Sequence, residues 1–93
     1  MINLESKLTR QVIIVNELGL HARSAAKIAK LAGQSKAAVW IQKGSAKADA
    51  SSILEILTLE CEKDSEITIG IENIADSDIL EAITELVEGG FGE

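Results

Sequence analysis

The spacing of apolar residues along the chain changes between strand-like and helix-like periods. Residues 7–15, KLTRQVIIV, are rich in β-branched side chains and predict a buried strand whose first half is irregular. After a turn at NELG, alanines recur with the 3.6-residue period of a helix that begins at Ala22 and for which Gly33 is a suitable C-terminal cap. The apolar stripe of this helix is predicted to comprise Ala22, Ala25, Ala26, Ala29 and Ala32.

A hairpin, a short helix and another strand are predicted next. KAAVWIQK alternates in side-chain character, and Gly44 turns the chain into SAKADA. The two segments together indicate a β-hairpin. SSILEILTLE is brief and almost wholly apolar after its two serines, and it predicts a short helix that opens near Ser51. In EITIGIE, strict alternation places Ile67, Ile69 and Ile71 on one face of a strand.

The final segment has the pattern of an amphipathic helix that buries Ile79, Ala82, Ile83, Leu86 and Val87. Asp76, Ser77 and Asp78 are candidates for its N-terminal cap, and Gly89 and Gly90 close it. The order of elements is therefore βαββαβα. Because a cleanly alternating strand belongs to a sheet with one solvated side, we predict an α+β open-faced sandwich, in which a four-stranded antiparallel sheet carries three helices on one face.

Composition limits the size and location of the protein. Its 93 residues predict one domain over residues 1–93, in which residues 1–6 form a flexible N-terminal extension. A net charge of −6 argues against nucleic acid as a partner, since phosphate-binding surfaces need excess Lys and Arg. The lone cysteine, Cys61, excludes an internal disulfide and suits a reducing cytoplasm. No apolar run approaches the roughly 20 residues of a membrane span, so we expect a cytoplasmic protein that does not insert into membranes.

Most kinds of catalytic or cofactor site are disfavoured. One His and one Cys, far apart in sequence, do not indicate a metal site, and neither glycine-rich nucleotide motif occurs, so we expect no metal and no cofactor. A nucleophilic triad would have to combine His21 with a distant Ser or Asp. Cys61 is interpreted as an inert residue near the end of the short helix.

His21 occupies a position that favours anion chemistry. If the helix begins at Ala22, His21 is its N-cap, and the first-turn amides of Ala22, Arg23 and Ser24 lack intrahelical acceptors. These amides, the helix dipole and the Arg23 guanidinium would bind an anion, and Lys27 adds positive charge. A neutral imidazole nitrogen is also a nucleophile, and a phosphoryl group placed on it would be held by the same donors. The alternative is a solvated turn histidine without chemical function.

The stretch GLHARSA, residues 19–25, resembles the active-site motif of HPr, the histidine-containing phosphocarrier family of the phosphoenolpyruvate-dependent phosphotransferase system. The resemblance extends from residue 8 to about residue 91, fits the βαββαβα order, and includes ASSILEILTL, which is similar to the family's second signature. It implies that His21 accepts a phosphoryl group on Nδ1 from enzyme I and passes it to an enzyme IIA domain. It also implies that Arg23 assists and that the protein is a substrate and carrier instead of an enzyme.

Ser24 departs from the family pattern, which usually has proline after the arginine. Proline is tolerated in the first turn of a helix and would stiffen the loop that presents the histidine. Serine instead supplies an amide at the phosphate site and a hydroxyl that we expect to point near the phosphate. Our hypothesis is that Ser24 leaves phosphorylation possible while altering its rate or the lability of the phosphohistidine.

The short helix carries two further predictions. Ser52 matches the serine that a dedicated kinase phosphorylates in some members of the family, although Ser51 or Ser52 could serve only as a helix cap. Apolar residues extend nearly all the way round this helix, which is either wedged into the core or partly exposed. We predict that Ile56 and Leu59 face the core. The resemblance implies that a docking patch for transient partners lies beside His21 and comprises Ala22, Ile53, Leu54 and Leu57.

Three functions remain open from the sequence. The first is a monomeric sugar-system phosphocarrier, and the second is a carrier of the nitrogen-related or regulatory branch. EGGFGE has some resemblance to the tails of that branch and equally to those of ordinary carriers. The third is an interaction module that binds a regulator through the short helix and Ser52. Replacement of His21 by alanine would abolish a carrier but leave a binding module working.

Overall fold

The order of secondary structure matches the predicted βαββαβα arrangement. A computed structural model of the protein describes residues 7–93, and the predicted N-terminal extension lies outside the described residues. The strands are β1 (Thr9–Ile13), β2 (Val39–Lys43), β3 (Ala46–Asp49) and β4 (Glu66–Ile71). The helices are α1 (Ala22–Ala32), α2 (Ile53–Thr58) and α3 (Ser77–Glu88), and short 3-10 turns cover Ile74–Asp76 and Gly90–Gly92.

The four strands form one antiparallel sheet in the order β1-β4-β2-β3. Gln11 is opposite Thr68 between β1 and β4, and Ile41 of β2 lies between Ile69 of β4 and Ala48 of β3. Alternation places the apolar members of these pairs on one face, where Ile41 and Ile69 are fully buried. On the other face the Trp40 ring covers Gly70 so closely that a Cβ there would lie 2.0 Å from a ring carbon.

Three helices pack on the apolar face, which confirms the predicted α+β sandwich. α3 contacts β1 and β4, while α1 contacts both α2 and α3. The core between helices and sheet is aliphatic apart from Phe91 and Cys61, and its fully buried side chains include Ile14, Ile28, Ile41, Ile56, Ile67, Ile69, Leu80, Ile83 and Val87. The predicted burial of Ile56 and Leu59 is confirmed.

Several predicted boundaries and faces need correction. β1 is shorter than predicted and is buried on one side only, since Val12 is buried whereas Ile13 is 44% exposed. α1 begins at Ala22 as predicted, but Ala22 is exposed and the deeply buried positions are Ser24, Ala25, Ile28 and Ala32. α2 opens after Ser52.

The buried face of α3 is rotated relative to the prediction. Its buried residues are Leu80, Ile83, Thr84 and Val87, while the predicted Ile79, Ala82 and Leu86 are half-buried at the edge. Thr84 is accommodated because its hydroxyl donates to the Leu80 carbonyl at 2.7 Å. Asp76 is at the N-cap position but does not cap α3 with its side chain. Its buried carboxylate instead accepts from the Lys36 and Ala37 amides at 2.8 and 2.9 Å, which ties the start of α3 to the segment before β2.

Candidate functional site

A tight turn between β1 and α1 presents His21. The Gly19 amide donates to the Asn16 carbonyl at 3.1 Å, and the Asn16 side-chain amide donates back to the Gly19 carbonyl at 2.8 Å. Gly19 has a φ of 64°, and a Cβ at this position would lie 2.3 Å from the Cys61 carbonyl oxygen. The Leu20 amide donates to that carbonyl at 2.8 Å, so the chain passes close to the segment after α2 immediately before His21. Only glycine fits both this conformation and this approach.

His21 is the N-cap of α1, as predicted. Its extended backbone (φ −112°, ψ −177°) directs the imidazole back over the first turn, where Nδ1 accepts from the Arg23 amide at 3.3 Å. The His21 amide in turn donates to the Ser24 hydroxyl oxygen at 2.9 Å. These two bonds form a reciprocal capping box in which a histidine takes the role usually played by Ser or Thr. His21 Nδ1 therefore lies at the positive end of α1.

Ser24 supports the loop from within. Its side chain is fully buried, and its hydroxyl oxygen lies 3.2 Å from the Gly19 carbonyl and 3.1 Å from the His21 carbonyl, to either of which it can donate. The prediction that the hydroxyl points near the phosphate is wrong, because these backbone carbonyls and the His21 amide surround it. What Ser24 can offer an anion at this helix end is its first-turn backbone amide.

Glu93 approaches His21 from the other side of the ring, and sequence reasoning did not identify it. Its Oε2 lies 3.0 Å from His21 Nε2 and 3.3 Å from an Arg23 guanidinium nitrogen. Partial desolvation raises the pKa of the Glu93 carboxyl, but hydrogen bonds from His21, Arg23 and Asn16 outweigh it, and the pKa is lowered overall. The sequence feature that could have pointed to Glu93 is EGGFGE, in which glycines lie on both sides of a single aromatic residue just before the Glu93 carboxylate.

The two basic side chains of α1 differ in their engagement. The Arg23 side chain is 66% exposed and contacts Glu93, so it remains free to reach an incoming anion. Lys27 Nζ donates to the Phe91 carbonyl at 2.8 Å and holds the segment that carries Glu93. Lys27 thus stabilises the surroundings of His21 in addition to contributing charge.

α2 packs against α1 and carries the remaining predicted site residues. Leu54 is 77% and Ile53 is 38% exposed, whereas Leu57 is half-buried and packs against the core. The Ser52 hydroxyl accepts from the Glu55 amide at 3.2 Å and therefore caps α2. Together with the exposed Ala22, these apolar side chains lie on the two adjoining helices of the site.

The other chemical groups named from the sequence are not part of this arrangement. Cys61 is buried, and its burial raises the pKa of the thiol, which disfavours the reactive thiolate. Among residues 7–93, no cluster of three His, Cys, Asp or Glu side chains could hold a metal ion. No helix in the described part of the chain is long and apolar enough to cross a membrane.

Comparison with known proteins identifies the family. The model for the "PTS HPr component phosphorylation site" matches residues 8–89, nearly the whole chain. The chain belongs to the HPr family. It is thus a phosphocarrier of the phosphotransferase system, whose partners are components such as enzyme I and IIA-type domains.

Full-length relatives and a solved structure agree with this assignment. The phosphocarrier protein NPr of Shewanella violacea is 46% identical over 95% of this chain and 97% of its own. The phosphocarrier protein HPr of Neisseria meningitidis serogroup A is 33% identical over 92% of this chain and 97% of its own. The crystal structure of HPr-C-His from Thermoanaerobacter tengcongensis superposes with a TM-score of 0.86 at 29% identity, covering 91% of this chain and 96% of that one.

Proposed function

We propose that His21 is the phosphoryl acceptor of this carrier, that it receives the group on Nδ1 from phospho-enzyme I, and that it passes the group to an enzyme IIA domain. The observation that carries the proposal is the position of Nδ1 at the start of α1, within hydrogen-bonding distance of the Arg23 amide. First-turn amides and the helix dipole stabilise negative charge at this point.

The transfer uses only groups already at the site. The Nδ1 lone pair forms the new bond to phosphorus while the bond between phosphorus and the donor breaks, and the donor keeps that electron pair. The Arg23 guanidinium, which is largely exposed, neutralises charge on the transferred group. Transfer to the IIA domain is the same step with this protein as the donor. The protein is therefore consumed and regenerated as a substrate of its partners.

The test is phosphorylation by enzyme I with magnesium and phosphoenolpyruvate, followed by intact mass measurement. We expect one acid-labile phosphate on the wild-type protein and none on His21→Ala. His21→Asn is the matched control for folding, because asparagine is also a strong N-cap residue and keeps α1 capped without an imidazole. A labile phosphate that persists on either variant would overturn the proposal.

We further propose that the exposed apolar side chains of α2 dock the partners. Leu54 projects 77% of its surface into solvent beside the helix that carries His21, and Ile53 and Leu57 extend the patch. Replacement of an exposed leucine changes the stability of the free protein little. A charge in its place, however, loses its hydration when a partner docks, which weakens binding. We therefore expect Leu54→Asp to raise the KM for phosphorylation by enzyme I about tenfold, as a loss of about 1.4 kcal/mol requires.

Ile74→Asp is the matched control for this test. Ile74 is another exposed aliphatic residue, 51% exposed, in the 3-10 turn before α3 and outside the predicted patch. Equal effects of the two substitutions on KM would contradict docking through α2.

We also assign Ser52 as a site for a serine kinase. Its hydroxyl caps α2, and two acidic residues lie nearby: the Ser52 amide donates to the Asp49 carbonyl at 3.1 Å, and the Asp49 amide donates to the Glu55 carboxylate at 3.1 Å. A phosphate here would add about two negative charges beside these carboxylates and next to Ile53 of the docking patch. Incubation with an HPr serine kinase and ATP should yield one acid-stable phosphate that is absent from Ser52→Ala, and the phosphorylated form should be a poorer substrate of enzyme I. Phosphate on Ser51 would refute the assignment.

The second candidate function is a carrier of the nitrogen-related or regulatory branch. The relative that is 46% identical is named NPr, and the HPr relative from Neisseria meningitidis is 33% identical, which favours this branch. Phosphorylated protein should be offered separately to a sugar-type and a nitrogen-type IIA domain. Faster transfer to the sugar-type domain supports the first function, and faster transfer to the nitrogen-type domain supports the second. We place either carrier in the cytoplasm as a monomer.

A further inference from the structure

Glu93 contacts both side chains of the phosphorylation site at once. One carboxylate oxygen, Oε2, lies 3.0 Å from His21 Nε2 and 3.3 Å from the Arg23 guanidinium. The other oxygen, Oε1, lies 3.4 Å from the Asn16 side-chain amide and 3.4 Å from His21 Nε2. The Glu93 side chain is only 18% exposed, which shows that it lies against the protein.

The segment after α3, residues 89–93, is built to place this carboxylate. Gly90, Phe91 and Gly92 all have positive φ, between 61° and 75°, and fold the chain back towards the start of α1. For Phe91 that conformation costs roughly 1–2 kcal/mol, since a side chain in the left-handed region crowds its own backbone. Burial of the Phe91 ring, which is 2% exposed, and the Lys27 bond to its carbonyl offset this cost. The backbone of this segment, which we call the tail segment, is thus anchored independently of Glu93.

The contacts on the two ring nitrogens require the same tautomer of His21. A carboxylate can only accept a hydrogen bond, so Nε2 must carry a proton to bond Glu93. An amide can only donate, so Nδ1 must present its lone pair to the Arg23 amide. In a neutral imidazole the partner of one nitrogen fixes the chemistry of the other. The pair of contacts leaves Nδ1 as the nucleophilic nitrogen.

We propose that Glu93 is a positioning residue that holds the Nε2–H of His21 and thereby keeps Nδ1 unprotonated and correctly oriented for phosphoryl transfer. This role rests on the proposed function of His21. When Nδ1 forms its bond to phosphorus, the ring retains the Nε2 proton and becomes positively charged, and the Glu93 carboxylate stabilises that charge. Arg23 contacts the carboxylate in the free protein and is exposed enough to contact the transferred group as well.

The first experiment needs no phosphate. Protein labelled with ¹⁵N in its single histidine is measured by NMR at about pH 9, above the usual titration range of an imidazole. We expect wild-type His21 to show a protonated Nε2 whose hydrogen exchanges slowly. In Glu93→Ala that hydrogen should exchange faster, and the ratio of Nε2–H to Nδ1–H tautomers should fall about fivefold, the effect of one ordinary hydrogen bond.

Two variants make the result specific. Glu88→Ala removes the same charge from an exposed position in α3 and should leave both signals unchanged. Glu93→Gln keeps a carbonyl oxygen that can accept from Nε2, so the tautomer ratio should stay near the wild-type value although the charge is lost. A wild-type tautomer ratio in Glu93→Ala, or equal shifts in Glu93→Ala and Glu88→Ala, would overturn the proposal.

Kinetics with enzyme I supply the second readout. Glu93 lies outside the docking patch, so Glu93→Ala should lower kcat for phosphorylation of the protein about fivefold and leave KM within a factor of about two. An unchanged kcat would contradict the role in transfer. If the wild-type protein takes no phosphate while Glu93→Ala still shifts the tautomer, the orientation of His21 by Glu93 stands and the carrier role of His21 fails.

Discussion

At the scale of single residues, Ser24 ties the loop that presents His21 to the first turn of α1. The buried hydroxyl accepts from the His21 amide and lies within reach of the Gly19 and His21 carbonyls. Proline would restrict the loop through its ring, whereas serine restricts it through hydrogen bonds that cross the turn. A proline and a serine at this position would thus restrain the loop through different interactions.

Ser24→Ala should therefore destabilise the protein. Loss of the hydroxyl removes the partner of the His21 amide and leaves a polar group of the loop unsatisfied, so the free energy of unfolding should fall by about 1–2 kcal/mol. Urea unfolding followed by circular dichroism measures this change. Ser45→Ala, at an exposed position of the β2–β3 turn, is the control and should change stability by less than about 0.5 kcal/mol.

Ser24→Pro tests the effect of the same position on transfer. Pyrrolidine geometry removes both the hydroxyl and the amide at the third position of α1, so the rate of phosphorylation of His21 or the acid lability of the product should change. Rapid-quench measurement of phosphate uptake and the half-life of the phosphohistidine in acid report on the two quantities. Transfer kinetics and lability that both match the wild type would sink the hypothesis that Ser24 sets them.

The sequence was informative about His21 because the relevant signals are local. The glycine turn, the alanine period and the N-cap position lie within a few residues of one another, and so the start of α1 was predicted correctly. Glu93 is 72 residues away from His21 in sequence and belongs to no periodic pattern. Its contact depends on three consecutive residues with positive φ, of which only the two glycines favour that conformation.

At the scale of elements, the tail segment is held to α1 by charge as well as by packing. The pKa of the Glu93 carboxyl is lowered in the folded protein. Its contacts therefore stabilise the folded protein fully above the usual glutamate pKa of about 4.3, and this stabilisation is lost as the pH falls through the lowered pKa. The Gly92 amide resonance should therefore titrate below the usual glutamate range. Glu93→Gln should abolish this titration, and its persistence in that variant would assign it to another group.

The wrong prediction of the buried face of α3 is explained by the packing of one element against others. Two overlapping stripes satisfy the helical period, one containing Ile79 and Leu86 and the other containing Leu80 and Val87. Hydrophobicity favoured the first because the second contains Thr84. Thr84 can be buried only because its hydroxyl bonds within the helix, and the packing of α3 on β1 and β4 selects the second stripe. Periodicity alone does not distinguish these stripes.

At the scale of the whole molecule, the tail segment joins the end of the last helix to the start of the first, and Phe91 is the residue that anchors it. We expect Phe91→Ala to lower the free energy of unfolding by about 3 kcal/mol, because the ring is 2% exposed and contributes to the common core. The same substitution should release Glu93 and increase the exchange of the His21 Nε2–H. Val87→Ala removes another fully buried side chain, from α3, and should destabilise the protein without this local effect. If both variants disturb the Nε2–H equally, general loosening of the core, and not loss of the anchor at Phe91, would explain the faster exchange at His21.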